Sequence, residues 1–216
     1  MTDAHMPAIA GESRIMSNDS DPGAAGLLAV VIPAYKADFL HETLTSLALQ
    51  EGIKQPLRVY IGDDASPSDI EAICRAFSSR LDIQYTRFPN NLGQSDLPGH
   101  WNRCLRLTNE PWVWLFSDDD IMEAGCVSRL LQAINSEGSS YDLFHFNVNT
   151  IDANGHILRN NPSFPAHLSA HAFASARLRF ELASFAPDYV FSRAAFDRVG
   201  GFVRFPLAWC TDDATW

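Results

Sequence analysis

Three consecutive carboxylates, Asp118, Asp119 and Asp120, follow directly on the apolar run Trp112-Val-Trp-Leu-Phe-Ser117. Such crowding is unfavourable without a cation, and hard oxygen donors suit Mg²⁺ or Mn²⁺, which can bridge protein carboxylates and a diphosphate. A solvated acidic turn that caps the next helix would use the same residues. A second acidic pair, Asp63 and Asp64, closes the segment Tyr60-Ile-Gly-Asp-Asp-Ala-Ser66. One carboxylate there can accept the N3–H of a uracil ring without any metal; alternatively Asp64 or Ser66 is an N-cap. In Val31-Ile-Pro-Ala-Tyr35, Pro33 ends an apolar run and frees backbone across which a nucleotide can lie, with Tyr35 near the base or ribose. A half-exposed aromatic at a strand end is the plainer reading of Tyr35.

These groups need a scaffold, and the chain supplies alternating short apolar runs and amphipathic segments, the pattern of βα units feeding a mostly parallel sheet. Residues 27–33 read as a strand covered on both faces, and 38–50 as a helix with Leu40, Leu44 and Leu47 at helical spacing. Strands follow at 57–62, 82–87 and 112–116. Ser66-Pro-Ser-Asp69 opens a helix that runs to about residue 79, and further helices are expected over 101–107 and 123–136. Residues 141–150 alternate as one strand, and Asn154-Gly155 marks a hairpin turn before Ile157 and Leu158. After a weakly patterned stretch at 162–186, read as a loop and then a helix, come a strand at 189–192 and a helical turn at 194–199. Gly200-Gly201 stops that turn. Residues 1–26, rich in Ser, Asp, Gly, Ala and Pro, read as a flexible leader, and 27–216 as a single domain.

Length and composition fit one globular unit: 216 residues, 46% hydrophobic, 19% charged. A net charge of −10 argues against nucleic acid as a main partner, which needs clustered Lys and Arg. The leader has no apolar core of a secretory signal, and no run approaches the ~18 apolar residues of a membrane span. The four cysteines, Cys74, Cys104, Cys126 and Cys210, lack CxxC spacing and are expected as buried thiols in a reducing cytoplasm. The scattered histidines suggest no zinc site. Trp101, Trp112 and Trp114 read as core.

Taken together and in order, the motifs resemble glycosyltransferase family 2. Val31-Ile-Pro-Ala-Tyr35 resembles the family's opening strand, and Ile61-Gly-Asp-Asp-Ala-Ser66 its DDGS segment. Asn90-Asn-Leu-Gly93 with Trp101-Asn-Arg103 is similar to the Asn-x-Gly turn and the Arg-bearing helix after it. Phe116-Ser-Asp-Asp-Asp-Ile121 resembles the metal-binding strand end. Phe191 to Phe202 is similar to the segment leading to the acceptor side, and Thr211-Asp-Asp213 to the acidic pair holding the catalytic base. Ser117 stands where the metal motif usually has its first Asp, so ligation is expected at Asp119, helped by Asp118 or Asp120. Asp212 replaces the usual Glu of the final pair. The chain ends three residues after Asp213, where the family usually continues, so the domain is expected to be truncated.

The resemblance implies a GT-A fold and metal-dependent transfer, with inversion, of a sugar from a nucleotide sugar, UDP-linked, to a saccharide or lipid-linked acceptor. Pro33, Ala34, Tyr35, Asp63, Asp64, Asn91, Arg103 and Asp118 are then the donor-binding residues, with Arg103 a useful cation near the diphosphate. Asp119 and Asp120 hold Mn²⁺ or Mg²⁺, and Asp213 or Asp212 is the general base. A nucleotidyltransferase should carry a glycine-rich basic loop after the first strand; Ala34-Tyr-Lys-Ala-Asp38 has one Lys and no Gly. A domain that binds nucleotide sugar without transferring it is the other alternative.

Overall fold

β1 (Leu28–Ala34) shows why the chain folds as it does. Leu28, Val30, Ile32 and Ala34 enter one buried cluster and Ala29 and Val31 another, as the two-residue period of a strand covered on both faces requires. The structure, a computed structural model, describes residues 24, 26–138 and 140–216, so the expected leader lies almost wholly outside the described residues. β2 (Arg58–Asp63) and β4 (Trp112–Leu115) flank β1 in parallel, and β3 (Asp82–Arg87) extends the sheet beyond β2. β8 (Tyr189–Ser192) and β5 (Leu143–His145) add the antiparallel edge, giving the order β3-β2-β1-β4-β8-β5.

Helices cover both faces. α1 (Leu40–Ala48), α2 (Ile70–Ala76) and α4 (Cys126–Glu137) place Leu40, Leu44, Leu47, Ile70, Val127 and Leu130 against Val30, Ile32 and Trp114. α3 (Leu97–Leu105) and α6 (Arg193–Val199) cover the other face through Cys104, Leu105 and Phe196, against Val31, Val113 and Phe191. Each fully buried Leu or Ile in these layers contributes about 1.5–3 kcal/mol relative to exposure. Gly62 lets α3 approach β2, because a methyl there would collide with Cys104 Sγ.

Departures from the sequence pattern have local causes. The strand expected over 141–150 splits: Phe146 N still donates to Asp188 O (2.8 Å), but Asn147 Oδ1 accepts from Phe164 N (2.8 Å). Val148 O accepts from Asn161 Nδ2 (3.1 Å), which draws the chain away from the sheet. The remainder forms the hairpin β6 (Asn149–Ile151) and β7 (Ile157–Asn160), with Gly155 at φ +81° in its turn. α3 begins before the expected residue 101, since Asp96 Oδ1 accepts from Gly99 N (2.9 Å) and Pro98 sits in the first turn. The weakly patterned 162–186 contains α5 (Ala170–Leu178), capped by Ser169, whose side chain accepts from Ala172 N (3.2 Å). Gly200, at φ +84°, ends α6 in the left-handed conformation that glycine favours. The thiols only partly follow expectation: Cys74 and Cys104 are buried, Cys126 is half-buried and Cys210 is exposed, all of them free.

Candidate active site

The C-terminal ends of β1, β2 and β4 are tied to one another by hydrogen bonds. Asp64 N donates to Ala34 O (2.9 Å) and Phe116 N to Val31 O (2.8 Å). Ser66 Oγ donates to Tyr35 O (2.6 Å), and Asp118 Oδ2 accepts from Tyr35 N (2.9 Å) and Lys36 N (3.1 Å). β1 sits between β2 and β4; the helix leaving β1, α1, packs on one face of the sheet and the helix leading into β4, α3, on the other, the arrangement that opens a ligand crevice beyond the strand ends. The crevice is a cleft of about 520 Å³, within the size range of small-molecule sites. Of the candidates, Pro33, Ala34, Tyr35, Asp64, Asn91, Asp118 and Asp119 line it, while Asp63, Arg103, Asp120, Asp212 and Asp213 do not.

The adjacent carboxylates of β2 have separate tasks. Asp63 is fully buried and accepts from Ser66 N (2.8 Å), Tyr85 Oη (2.6 Å) and Arg87 Nη1 (2.6 Å), which locks the β2–β3 edge. Burial, reinforced by the bond to Asp63, pushes the Tyr85 phenol up to about 12, so it stays a donor. Asp64 faces the cleft and gathers the turn beyond β3: Oδ1 accepts from Leu92 N (2.8 Å) and Oδ2 from Gly93 N (2.8 Å). Gly93 is needed for that approach, since a Cβ there would lie 2.7 Å from Asp64 Oδ2. Neither carboxylate caps α2; Asp69 does, accepting from Ala72 N (2.9 Å).

Arg103 serves Asp64. Its Nη2 bonds Asp64 Oδ1 and Asn90 O, its Nε donates to His100 Nδ1 (2.9 Å), and its guanidinium lies 3.9 Å from the centroid of the Phe88 ring. The guanidinium therefore buttresses the cleft wall from behind. His100, one of the scattered histidines given no site role from the sequence, lines the cleft and is 3% exposed. Burial, with Arg103 beside it and against the pull of Asp64, lowers its pKa to about 4, so it is neutral at physiological pH. Because Nδ1 accepts from Arg103, the ring proton resides on Nε2. The i, i+3 spacing of His100 and Arg103 on α3 was the available signal.

The three carboxylates after β4 do not converge on one point. Asp118 is held by the two backbone amides of the β1 exit, and burial raises its pKa, those amides opposing the rise. Asp119 is exposed at the cleft. Asp120 lies outside the lining, its backbone carbonyl accepting from Thr43 Oγ1 (2.9 Å), and burial raises its pKa against the Ser117 hydroxyl. Among the described residues no three His, Cys, Asp or Glu side chains form a metal-holding group. Mg²⁺ and Mn²⁺ sites in nucleotide enzymes commonly use only one or two carboxylates, with water and phosphate oxygens completing the shell. Asp118 and Asp119 fit that kind of site.

The far wall is the turn Ala186–Asp188, whose Ala186 and Pro187 line the cleft and whose Pro187 O accepts from Trp114 Nε1 (2.7 Å). Sequence reading assigned this turn no role. Asp213 is in a two-point ion pair with Arg177 of α5, at 3.0 and 2.7 Å, and Trp216 packs on Tyr189 at 5.2 Å between centroids. Burial, and then the Asp213 charge, raise the pKa of Asp212. Trp101 also lines the cleft while packing on Phe202, whereas Trp112 and Trp114 are core as expected.

A four-strand parallel core with a carboxylate-bearing crevice at the strand ends, closed by an antiparallel edge, defines an α/β domain of the GT-A type. Residues 29–199 match the model of glycosyl transferase family 2, and the chain belongs to that family. No curated protein matches it. Among solved structures it is similar to S. aureus TarS 1-349 in complex with UDP-GlcNAc, at 16% identity and TM-score 0.68, over 88% of this chain and 52% of that one. The same TarS fragment in complex with UDP gives 16% identity and TM-score 0.67, covering 88% and 53%. The mannosyltransferase PcManGT from Pyrobaculum calidifontis, in complex with GDP-Man and Mn²⁺, gives 18% identity and TM-score 0.55, covering 87% and 49%. The chain thus spans about half the length of these solved relatives.

Proposed function

We propose that this domain transfers a sugar from a UDP-sugar to a hydroxyl of a saccharide or lipid-linked acceptor, with inversion at the anomeric carbon and with Mn²⁺ or Mg²⁺ as cofactor. The observation that carries the reading is the cleft itself, where Tyr35, Asp64, Asn91, Asp118 and Asp119 come together from three strand ends and the turn after β3. Family membership and the sugar-nucleotide complexes of the similar structures support it.

In this reading Tyr35 packs against the base. Asp64 Oδ2, which accepts one backbone bond, has a lone pair left for the N3–H of uracil. Asp118 and Asp119 hold the metal, which when bound supplies positive charge to the leaving diphosphate. Asp118 is oriented for this by the Tyr35 and Lys36 amides. The pair Asp212 and Asp213 takes the acceptor proton: Arg177 fixes Asp213, and burial gives Asp212 the raised proton affinity that suits a base. We place the reaction in the cytoplasm, a reducing compartment suited to the free thiols of Cys74 and Cys104.

Donor binding without transfer is favoured by one observation, that neither Asp212 nor Asp213 lines the cleft. UDP release from a panel of UDP-sugars with Mn²⁺ and saccharide acceptors separates the readings. Transfer predicts turnover that falls ~10²-fold or more in Asp212→Asn or Asp213→Asn while UDP affinity holds. The larger drop identifies the residue that takes the proton. UDP binding without turnover under any acceptor supports the binding domain, and full turnover with both residues replaced removes the base assignment.

A further inference from the structure

The cleft is poor in positive charge for the ligand it is read to hold. Its lining carries the carboxylates of Asp64, Asp118 and Asp119, and the one Lys or Arg side chain among its lining residues is Lys36. A nucleoside diphosphate brings at least two more negative charges into this space, and one divalent cation at Asp118 and Asp119 does no more than balance their two carboxylates. Arg103, expected from the sequence to offset that charge, has its Nε and Nη2 committed to His100, Asp64 and Asn90 O behind the wall and does not line the cleft. His100, with its pKa lowered to about 4, adds no charge.

Lys36 has the opposite situation. Its side chain is exposed, and its ammonium makes no hydrogen bond or ion pair with any described residue. Its backbone, by contrast, is held firmly. Lys36 N donates to Asp118 Oδ2 (3.1 Å), the preceding Tyr35 N does so at 2.9 Å, and Tyr35 O accepts from Ser66 Oγ (2.6 Å). A flexible four-carbon stem thus starts from a fixed root at the rim of the cleft, within the loop that follows β1. A Lys used this way acts as a mobile point charge that reaches a phosphate oxygen without demanding a planar geometry.

We propose that Lys36 is a donor-binding residue whose ammonium engages the diphosphate of the sugar nucleotide, in the place expected of Arg103. The assignment rests on the nucleoside-diphosphate reading of the cleft. It also gives Asp118 a second task, that of fixing the root of Lys36 as well as facing the metal. A solvated surface lysine, the plainer alternative, would leave every ligand's affinity unchanged when removed.

Calorimetry with UDP and with uridine, on the wild type, Lys36→Met and Lys36→Arg, tests this. Lys36→Met is expected to weaken UDP by about tenfold or more, in Mn²⁺ and in EDTA alike, and to leave uridine unchanged. Lys36→Arg should retain UDP affinity within about threefold, since it keeps the charge. The UDP affinity of Lys36→Met should also depend less steeply on salt. Thermal melts should be unchanged, because the side chain is exposed. Equal UDP affinity in wild type and Lys36→Met, or an equal loss for uridine, overturns the role of Lys36 and leaves the reading of the cleft standing. A wild type that binds no UDP removes that reading and this assignment with it.

Discussion

Two regions beside the cleft contain the same chemical unit, an Arg–Asp pair, in very different settings. On the donor wall Arg103 and Asp64 are 14% and 3% exposed, and Asp64 also takes two backbone amides. Beyond the far wall and outside the cleft lining, Arg177 and Asp213 are 25% and 15% exposed. The donor wall stands on strands buried on both faces. Asp213 is preceded by turns with left-handed Leu207 (φ 58°), Ala208 (57°) and Cys210 (55°), and with Leu207 and Trp209 98% and 79% exposed. Left-handed non-glycine residues cost of order 1 kcal/mol each, a cost that rigid surroundings must offset. The contrast teaches that the strand-end wall of the cleft is built into the core of the fold, while the segment carrying Asp212 and Asp213, proposed to hold the base, depends on a few local contacts.

The sharpest way to break this comparison is to remove each Arg in turn. Arg103→Ala leaves a buried carboxylate without its cation and should cost about 3 kcal/mol of stability. Arg177→Ala, at a wetter pair, should cost only about 1 kcal/mol. Urea titration of both variants checks the order, and equal costs would mean that the two regions are equally firm. Next in size is Asp63→Asn, which weakens the bonds to Tyr85 and Arg87 at the β2–β3 edge and should cost about 1–3 kcal/mol. It should leave the preference for UDP over CDP intact, whereas Asp64→Asn should erode it; competition titrations that found the reverse would exchange the two roles.

A further prediction concerns pH. Burial lowers the His100 pKa from 6.5 to about 4, so between these values the unfolded chain takes up a proton that the folded one refuses. The associated stability is complete above about pH 6.5 and is lost as pH falls toward 4. Melting curves should therefore show wild type losing on the order of 10 °C more than His100→Gln between pH 7 and pH 4, at roughly 2–4 °C per kcal/mol. Parallel curves would show that His100 is not shielded as described.

Much of the donor wall was legible because its signals are local and periodic. The alternation of β1 with its end at Pro33, the acidic pair at Asp63 and Asp64, and the apolar run before Asp118 each mark a strand and its exit. The division of labour between Asp63 and Asp64 was not legible, since it depends on Tyr85, Arg87, Leu92 and Gly93, which the fold brings in from elsewhere. Arg103 was selected for its charge, but its partners decide its role, and those are tertiary. The wall at Ala186 and Pro187 carries no polar group for a sequence to flag. The split of 141–150 turned on Asn147 and Asn161, whose bonds to distant backbone no alternation of apolar residues encodes.

The central claim is that the crevice at the ends of β1, β2 and β4 binds a nucleoside diphosphate with a divalent cation at Asp119. Calorimetry of UDP with wild type and Asp119→Asn, each in Mn²⁺ and in EDTA, tests it most directly. The account predicts tighter UDP binding by wild type in Mn²⁺ than in EDTA, with most of that difference lost in Asp119→Asn; the same UDP affinity in both conditions for wild type would contradict it.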